Sequence, residues 1–73
     1  MKILKRFSSE DNVKHSLIGL HDEMFIVEFY EHGKRVGEIE YPNKAFNYVE
    51  DAAENWTTGV MTRETIDHYK RAA

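Results

Sequence analysis

The chain has no cysteine, a single proline and no apolar run approaching the length of a membrane span. Without cysteine there is neither a disulfide nor a thiolate metal site, and that usage fits a reducing compartment. A spanning helix needs about 20 consecutive apolar residues, so no membrane segment is expected. The opening MKILKRFSSEDN is basic but lacks an apolar core, and it does not read as a signal peptide. A cytoplasmic protein is the resulting expectation. A basic balance is missing too: 10 Lys+Arg stand against 13 Asp+Glu, a net charge of -3. Affinity for a phosphate backbone comes mainly from neutralising phosphates, so this balance places nucleic acid behind other partners.

The 73 residues are expected to form one domain, 1–73. A domain of this size buries only about 60% of the surface its unfolded chain exposes. Small domains commonly add a disulfide, a metal or a second subunit. With the first excluded, a homo-oligomer or another protein partner is the expected aid.

The strongest strand signal is MFIVEFYE, Met24 to Glu31, rich in aromatic and β-branched residues. His32-Gly33 suits a two-residue hairpin turn, and KRVGEIEY is the return strand. Pro42, with no N–H to donate, ends the ladder. VKHSLIGL, from Val13 to Leu20, reads as an earlier strand, and Met1 to Phe7 as an edge strand or arm. Asn43 is the expected helix N-cap. After it Ala45, Val49, Ala52, Ala53 and Trp56 recur at helical spacing, with Phe46 at the edge of the stripe. Gly59 stops that helix. Thr62 precedes a short terminal helix with Ile66 and Tyr69 on one face. The expected fold is α+β: a small antiparallel sheet of three to four strands on one main helix, plus a short terminal helix.

A regular two-residue turn at His32-Gly33 sets Phe29 opposite Val36 and Ile26 opposite Ile39. Phe25, Val27, Phe29 and Val36 then share one face, expected to meet the helix. Ile26, Tyr30, Ile39 and Tyr41 share the other, with Glu28 and Arg35 among them. One helix covers one face, so Ile26, Tyr30, Ile39 and Tyr41 are the candidate interface.

Catalytic signals are weak. His15, His21, His32 and His68 form no pair at a recognised ligand spacing, and His21-Asp22-Glu23 are loop neighbours. There is no nucleophile motif and no phosphate-cradling glycine loop. No enzyme activity, cofactor or metal is expected. A ligand site built from Tyr30, Tyr41 and Glu28 at a subunit interface ranks well behind. Basic residues stand at the hairpin tip (Lys34, Arg35), the helix start (Lys44), the N-terminus (Lys2, Lys5, Arg6) and the C-terminus (Lys70, Arg71). Lys34, Arg35 and Lys44 are the candidate nucleic-acid contacts.

The order strand, GKRVGE, strand, helix over Phe25 to Trp56 resembles the second half of a double-stranded-RNA-binding domain. It is also similar to the three-stranded arm-binding domain of tyrosine recombinases, in which a helix backs the sheet. The first resemblance implies phosphate contact at the start of the helix, where Lys44 stands, and the second implies DNA contact through a hairpin strand. VEDAAENWTTGV behind YEHGKRVG resembles small uncharacterised proteins of marine tailed cyanophages and related environmental sequences. That resemblance implies an accessory protein made inside an infected bacterial cell. The reading that follows is a small non-enzymatic, phage-like interaction protein that self-associates or binds a protein partner, with a nucleic-acid-binding module as the alternative.

Overall fold

A computed structural model describes the backbone of residues 1–72 and the side chains of residues 1–69. The order is β1 (Lys2–Ser8), β2 (Lys14–His21), β3 (Met24–Glu31), β4 (Lys34–Tyr41), α1 (Phe46–Thr58) and α2 (Arg63–Ala72). The strands form one antiparallel sheet in the order β1-β2-β3-β4. The fold is thus the α+β arrangement read from the sequence, with the N-terminal segment as a fourth strand. Lys70 and Arg71 lie outside the residues whose side chains are described.

The hairpins turn where backbone chemistry allows. Asp22 and Glu23 take φ of 51° and 63°, and His32 and Gly33 take 53° and 77°. Positive φ at both central residues matches the right-handed twist of the flanking strands. Gly and Asp accept that region readily, whereas Glu23 pays the Cβ clash in full.

The decisive feature of the sheet is a one-residue slip between β3 and β4. Tyr30 pairs with Arg35 as a regular two-residue turn dictates, but Phe29 pairs with Gly37 and not with Val36. Val36 is the extra residue of a β-bulge. Side chains alternate with period two, so a single extra residue moves everything beyond it to the opposite face. Ile39 therefore stands opposite Val27, and Tyr41 opposite Phe25. Both were expected on the second face; both are buried in the core, 3% and 5% exposed. The bulge is clamped from the helix side. The indole N–H of Trp56 donates to the Tyr30 carbonyl (3.0 Å), at the step where the register shifts.

The core lies between the Ile18–Val27–Phe29–Ile39–Tyr41 face and the helices. From α1 it takes Val49, Ala52, Ala53 and Trp56, and from the following segment Met61 and Ile66. Phe29 meets Trp56 edge-on at 5.6 Å, and Phe25 meets Phe46 at 5.5 Å. Phe7, Phe25, Val36 and Phe46 pack around it half-buried. The buried Ser16 hydroxyl donates to the Ala53 carbonyl (2.8 Å), joining β2 to α1. A buried hydroxyl without a partner would be costly; this one is satisfied.

Two helix details differ from expectation. Ala45, not Asn43, is the N-cap of α1, it has no side-chain cap, and it is exposed rather than part of the core. Asn43 is used one step earlier, at φ 60°, where the chain leaves Pro42 and reverses toward the helix. Asn tolerates that left-handed conformation better than most residues. Gly59 ends α1 at φ 88° as expected, its N–H on the Trp56 carbonyl. Met61 N–H closes back on the Asn55 carbonyl at 2.9 Å, a wrap that brings α2 onto the same side of the sheet.

Two outcomes follow. Inserting an alanine between Gly37 and Glu38 shifts the rest of β4 by one place and sends Ile39 and Tyr41 to the solvent face, so the variant loses the cooperative thermal transition and the near-UV dichroism of Trp56, whereas deleting Val36 leaves Ile39 opposite Val27 and keeps both. Glu23→Gly relieves a left-handed backbone and is expected to stabilise by about 0.5 kcal/mol after the added unfolded-state entropy, a rise in melting temperature of roughly 2–4 °C by calorimetry.

Candidate interaction face

Both helices pack on one side of the sheet, so the other side is bare of secondary structure. Its rows follow from the register. Ile3, Gly19, Ile26 and Glu40 form one row, Arg6, Leu17, Glu28 and Glu38 the next, and Ser8, His15, Tyr30 and Arg35 the third. Of the four candidate interface residues, Ile26 and Tyr30 are here; Ile39 and Tyr41 point into the core for the reason given above. The same bulge separates Tyr41 from Tyr30 and Glu28, so no site joins all three. The structure adds Leu17 and Ile3, which the sequence reading left out because β1 and β2 had no assigned register.

The face has an apolar patch at one end. Ile26 is 7% exposed yet lies outside the main core. Gly19 sits beside it in the register, and the thioether of Met1 lies over Gly19, in the space a Cβ would need. Met1 and Ile3 remain 53% and 47% exposed. Leu4, also exposed, occupies the irregular step of β1 between Ile3 and Lys5.

The other end is polar and locally satisfied. In the neutral ring, His15 Nε2 must donate to the Asn12 carbonyl (2.9 Å), which leaves Nδ1 to accept from the Ser8 hydroxyl (2.9 Å). A shallow groove of about 380 Å³ runs beside this pair, with Arg6, Leu17, Tyr30 and Gly33 among its walls. Arg35 lies between Glu28 (3.3 Å) and Glu38 (3.2 Å). Desolvation opposes its charge, but hydrogen bonds and attraction from the two carboxylates outweigh that and raise its pKa. Desolvation, and after it Glu28, pushes the Tyr30 phenol up; its hydroxyl donates to Glu28 at 3.3 Å. Both phenol and guanidinium keep their protons across the ordinary pH range.

The candidate nucleic-acid contacts do not converge. Lys34 and Arg35 stand at the start of β4 and Lys44 beyond its end, roughly 23 Å of strand apart at about 3.3 Å per residue. Arg35 is held by two glutamates. Lys44 lies over the ring of Tyr48 at 4.8 Å. Other cations are engaged locally as well: Lys5 with Glu50 and the Phe7 ring, Lys14 over Trp56 at 4.5 Å, and Arg63 with Glu31 at 3.0 Å. Arg6 makes no ion pair among the described residues. His21 sits 3.2 Å from Asp22, and the described residues contain no group of three side chains placed to share a metal ion. No described helix is long and apolar enough to cross a membrane.

A substitution at the apolar end tests the geometry. Gly19→Ala must displace the flexible tip of Met1 and no backbone, so its cost stays below about 1 kcal/mol. The Met1 methyl resonance should move to its unfolded position while the Trp56 near-UV signal is unchanged.

Comparison of the chain with protein-family models, with curated proteins and with solved structures finds no match in any of the three.

Proposed function

We propose that this is a non-enzymatic interaction protein that pairs with a second copy of itself through the helix-free face of the sheet. The observation that carries the reading is the Met1–Ile3–Leu17–Ile26 patch on a face that neither helix covers. An apolar patch of this kind marks contact surfaces.

The sheet edges argue for the face as the route. β1 carries Lys2 and Lys5 and an irregular step at Leu4, and β4 carries the Val36 bulge. Lysines and bulges blunt an edge against adding another strand. Face-to-face stacking is left, with sheets about 10 Å apart.

The charges favour one arrangement. Across the face, basic Arg6 lies on β1, and acidic Glu38 and Glu40 lie on β4. A two-fold axis parallel to the strands and midway between the sheets sets β1 of one copy over β4 of the other. Arg6 then faces Glu38 twice over, with Glu40 one row away, and Ile26 faces the low ground at Gly19. An isologous contact doubles each such pair. The resemblance to cyanophage proteins supplies the setting, an accessory protein acting inside an infected bacterial cell. Nucleic-acid binding ranks second, because its candidate bases are divided between two ends of β4.

Sedimentation equilibrium at low salt tests the pairing. The native chain should show twice its monomer mass, and Leu17→Glu the monomer mass with an unchanged melting curve. Arg6→Glu should weaken pairing, and the double variant Arg6→Glu/Glu38→Arg should recover it, since the swapped charges meet again. A native monomer at high micromolar concentration sinks the proposal. Co-sedimenting nucleic acid that leaves on adding salt would replace it with the hairpin-tip reading.

A further inference from the structure

On the helix side, a separate cleft of about 210 Å³ opens between α1, α2 and the end of β4. We infer that it is a binding slot for an organic cation, an alkylammonium or guanidinium head on a short apolar stem. It lies across the sheet from the proposed pairing face, so neither reading depends on the other.

The walls are Tyr41, Tyr48 and Tyr69, with Asp51 and Asn55 from α1, over a floor that includes Met61. Tyr41 is 5% exposed, and none of the side-chain hydrogen bonds among the described residues involves its hydroxyl. Fully enclosed side-chain nitrogens and oxygens in the described structure are all satisfied, so this hydroxyl opens into the cleft it lines. The ring of Tyr41 is thus buried while its hydroxyl oxygen stands open in the cleft, free to accept from a bound ammonium. Burial, with the neighbouring Tyr69 and Tyr48, raises its pKa, so it stays a neutral phenol.

The sign of the ligand follows from the lining. Asp51 is the charged group among the walls and makes no ion pair among the described residues. The rings of Tyr41 and Tyr48 stand 6.0 Å apart at 67°, two aromatic walls meeting steeply. Aromatic faces attract cations, and Tyr48 already receives Lys44 at 4.8 Å. A carboxylate beside phenol rings repels anions and welcomes an ammonium. The floor at Met61 and Ala52 suits a methylene stem. The volume falls below that of pockets for drug-sized molecules, which excludes a nucleotide and admits a lysine-sized group.

The experiment is a two-dimensional NMR titration of the full chain with butylammonium chloride, with sodium butyrate as the control of opposite charge. Saturable shifts at Tyr41, Tyr48, Asp51, Asn55 and Met61 are expected with the amine and not with butyrate. Asp51→Asn, an exposed substitution on α1, should weaken binding about fivefold to tenfold while the rest of the spectrum stays in place. A Gly/Ser peptide with one central lysine distinguishes the source. Tighter binding than butylammonium, lost on acetylating the lysine, assigns the slot to a side chain of a protein partner; equal or weaker binding assigns it to a free amine. No saturable shift at tens of millimolar amine, the same shifts with butyrate, or indifference to Asp51→Asn overturns the inference.

Discussion

The bulge at Val36 is the constraint on which the rest of this small structure depends. One residue inserted into β4 decides which of its side chains are core and which are surface. With it, Ile39 and Tyr41 join Val27 and Phe25 beneath the helices, and the sheet has a continuous apolar face for α1 and α2. Were Val36 paired opposite Phe29 instead, apolar groups would be spread over both faces and neither would hold a core. The Trp56 indole fixes the slip in place with a hydrogen bond to the main chain beside it. A core residue thus does two jobs, filling space against Phe29 and selecting the register of a strand pair.

This is also why the architecture was legible in the sequence and the faces were not. Strand signals at Met24–Glu31 and Lys34–Tyr41 rest on composition and a turn, and both elements appear with the expected ends. Val49, Ala52, Ala53 and Trp56 announced the buried stripe of α1 by spacing alone. A bulge leaves no comparable periodic trace. Val36-Gly37 was the available hint, since a glycine inside a strand often marks a bulge, and it competes with the regular pairing that His32-Gly33 implies. Of the candidate face, Ile26 and Tyr30 were therefore placed correctly, and Ile39 and Tyr41 were not. Asn43 shows a related limit. Its composition suits a helix cap and a left-handed turn equally, and only the reversal after Pro42 selects the second.

The charges are arranged in close pairs and not in fields. Lys5, Lys14, Arg35, Lys44 and Arg63 each lie on a carboxylate, a ring or both within the same molecule. Exposed pairs of this sort contribute little to stability, roughly 0–1 kcal/mol each. Their larger effect is on recognition, because a cation already screened by its neighbour projects a weak potential outward. A mildly acidic surface with spent cations favours contacts through shape and apolar area.

The strand order has a kinetic meaning. Every strand pairs with its immediate neighbour in sequence, across connections of two residues at Asp22-Glu23 and at His32-Gly33. Closing such short loops costs little entropy, and it can begin at either hairpin. The contacts that must be gathered from far along the chain are those of the helices: Trp56 reaches back 26 residues to Tyr30, and Ala53 reaches back 37 to Ser16. The hairpin's local connection admits more than one register, and the long-range contacts of α1 favour the observed one. The helix arrives as the proofreader of a hairpin that could otherwise close one residue out of step.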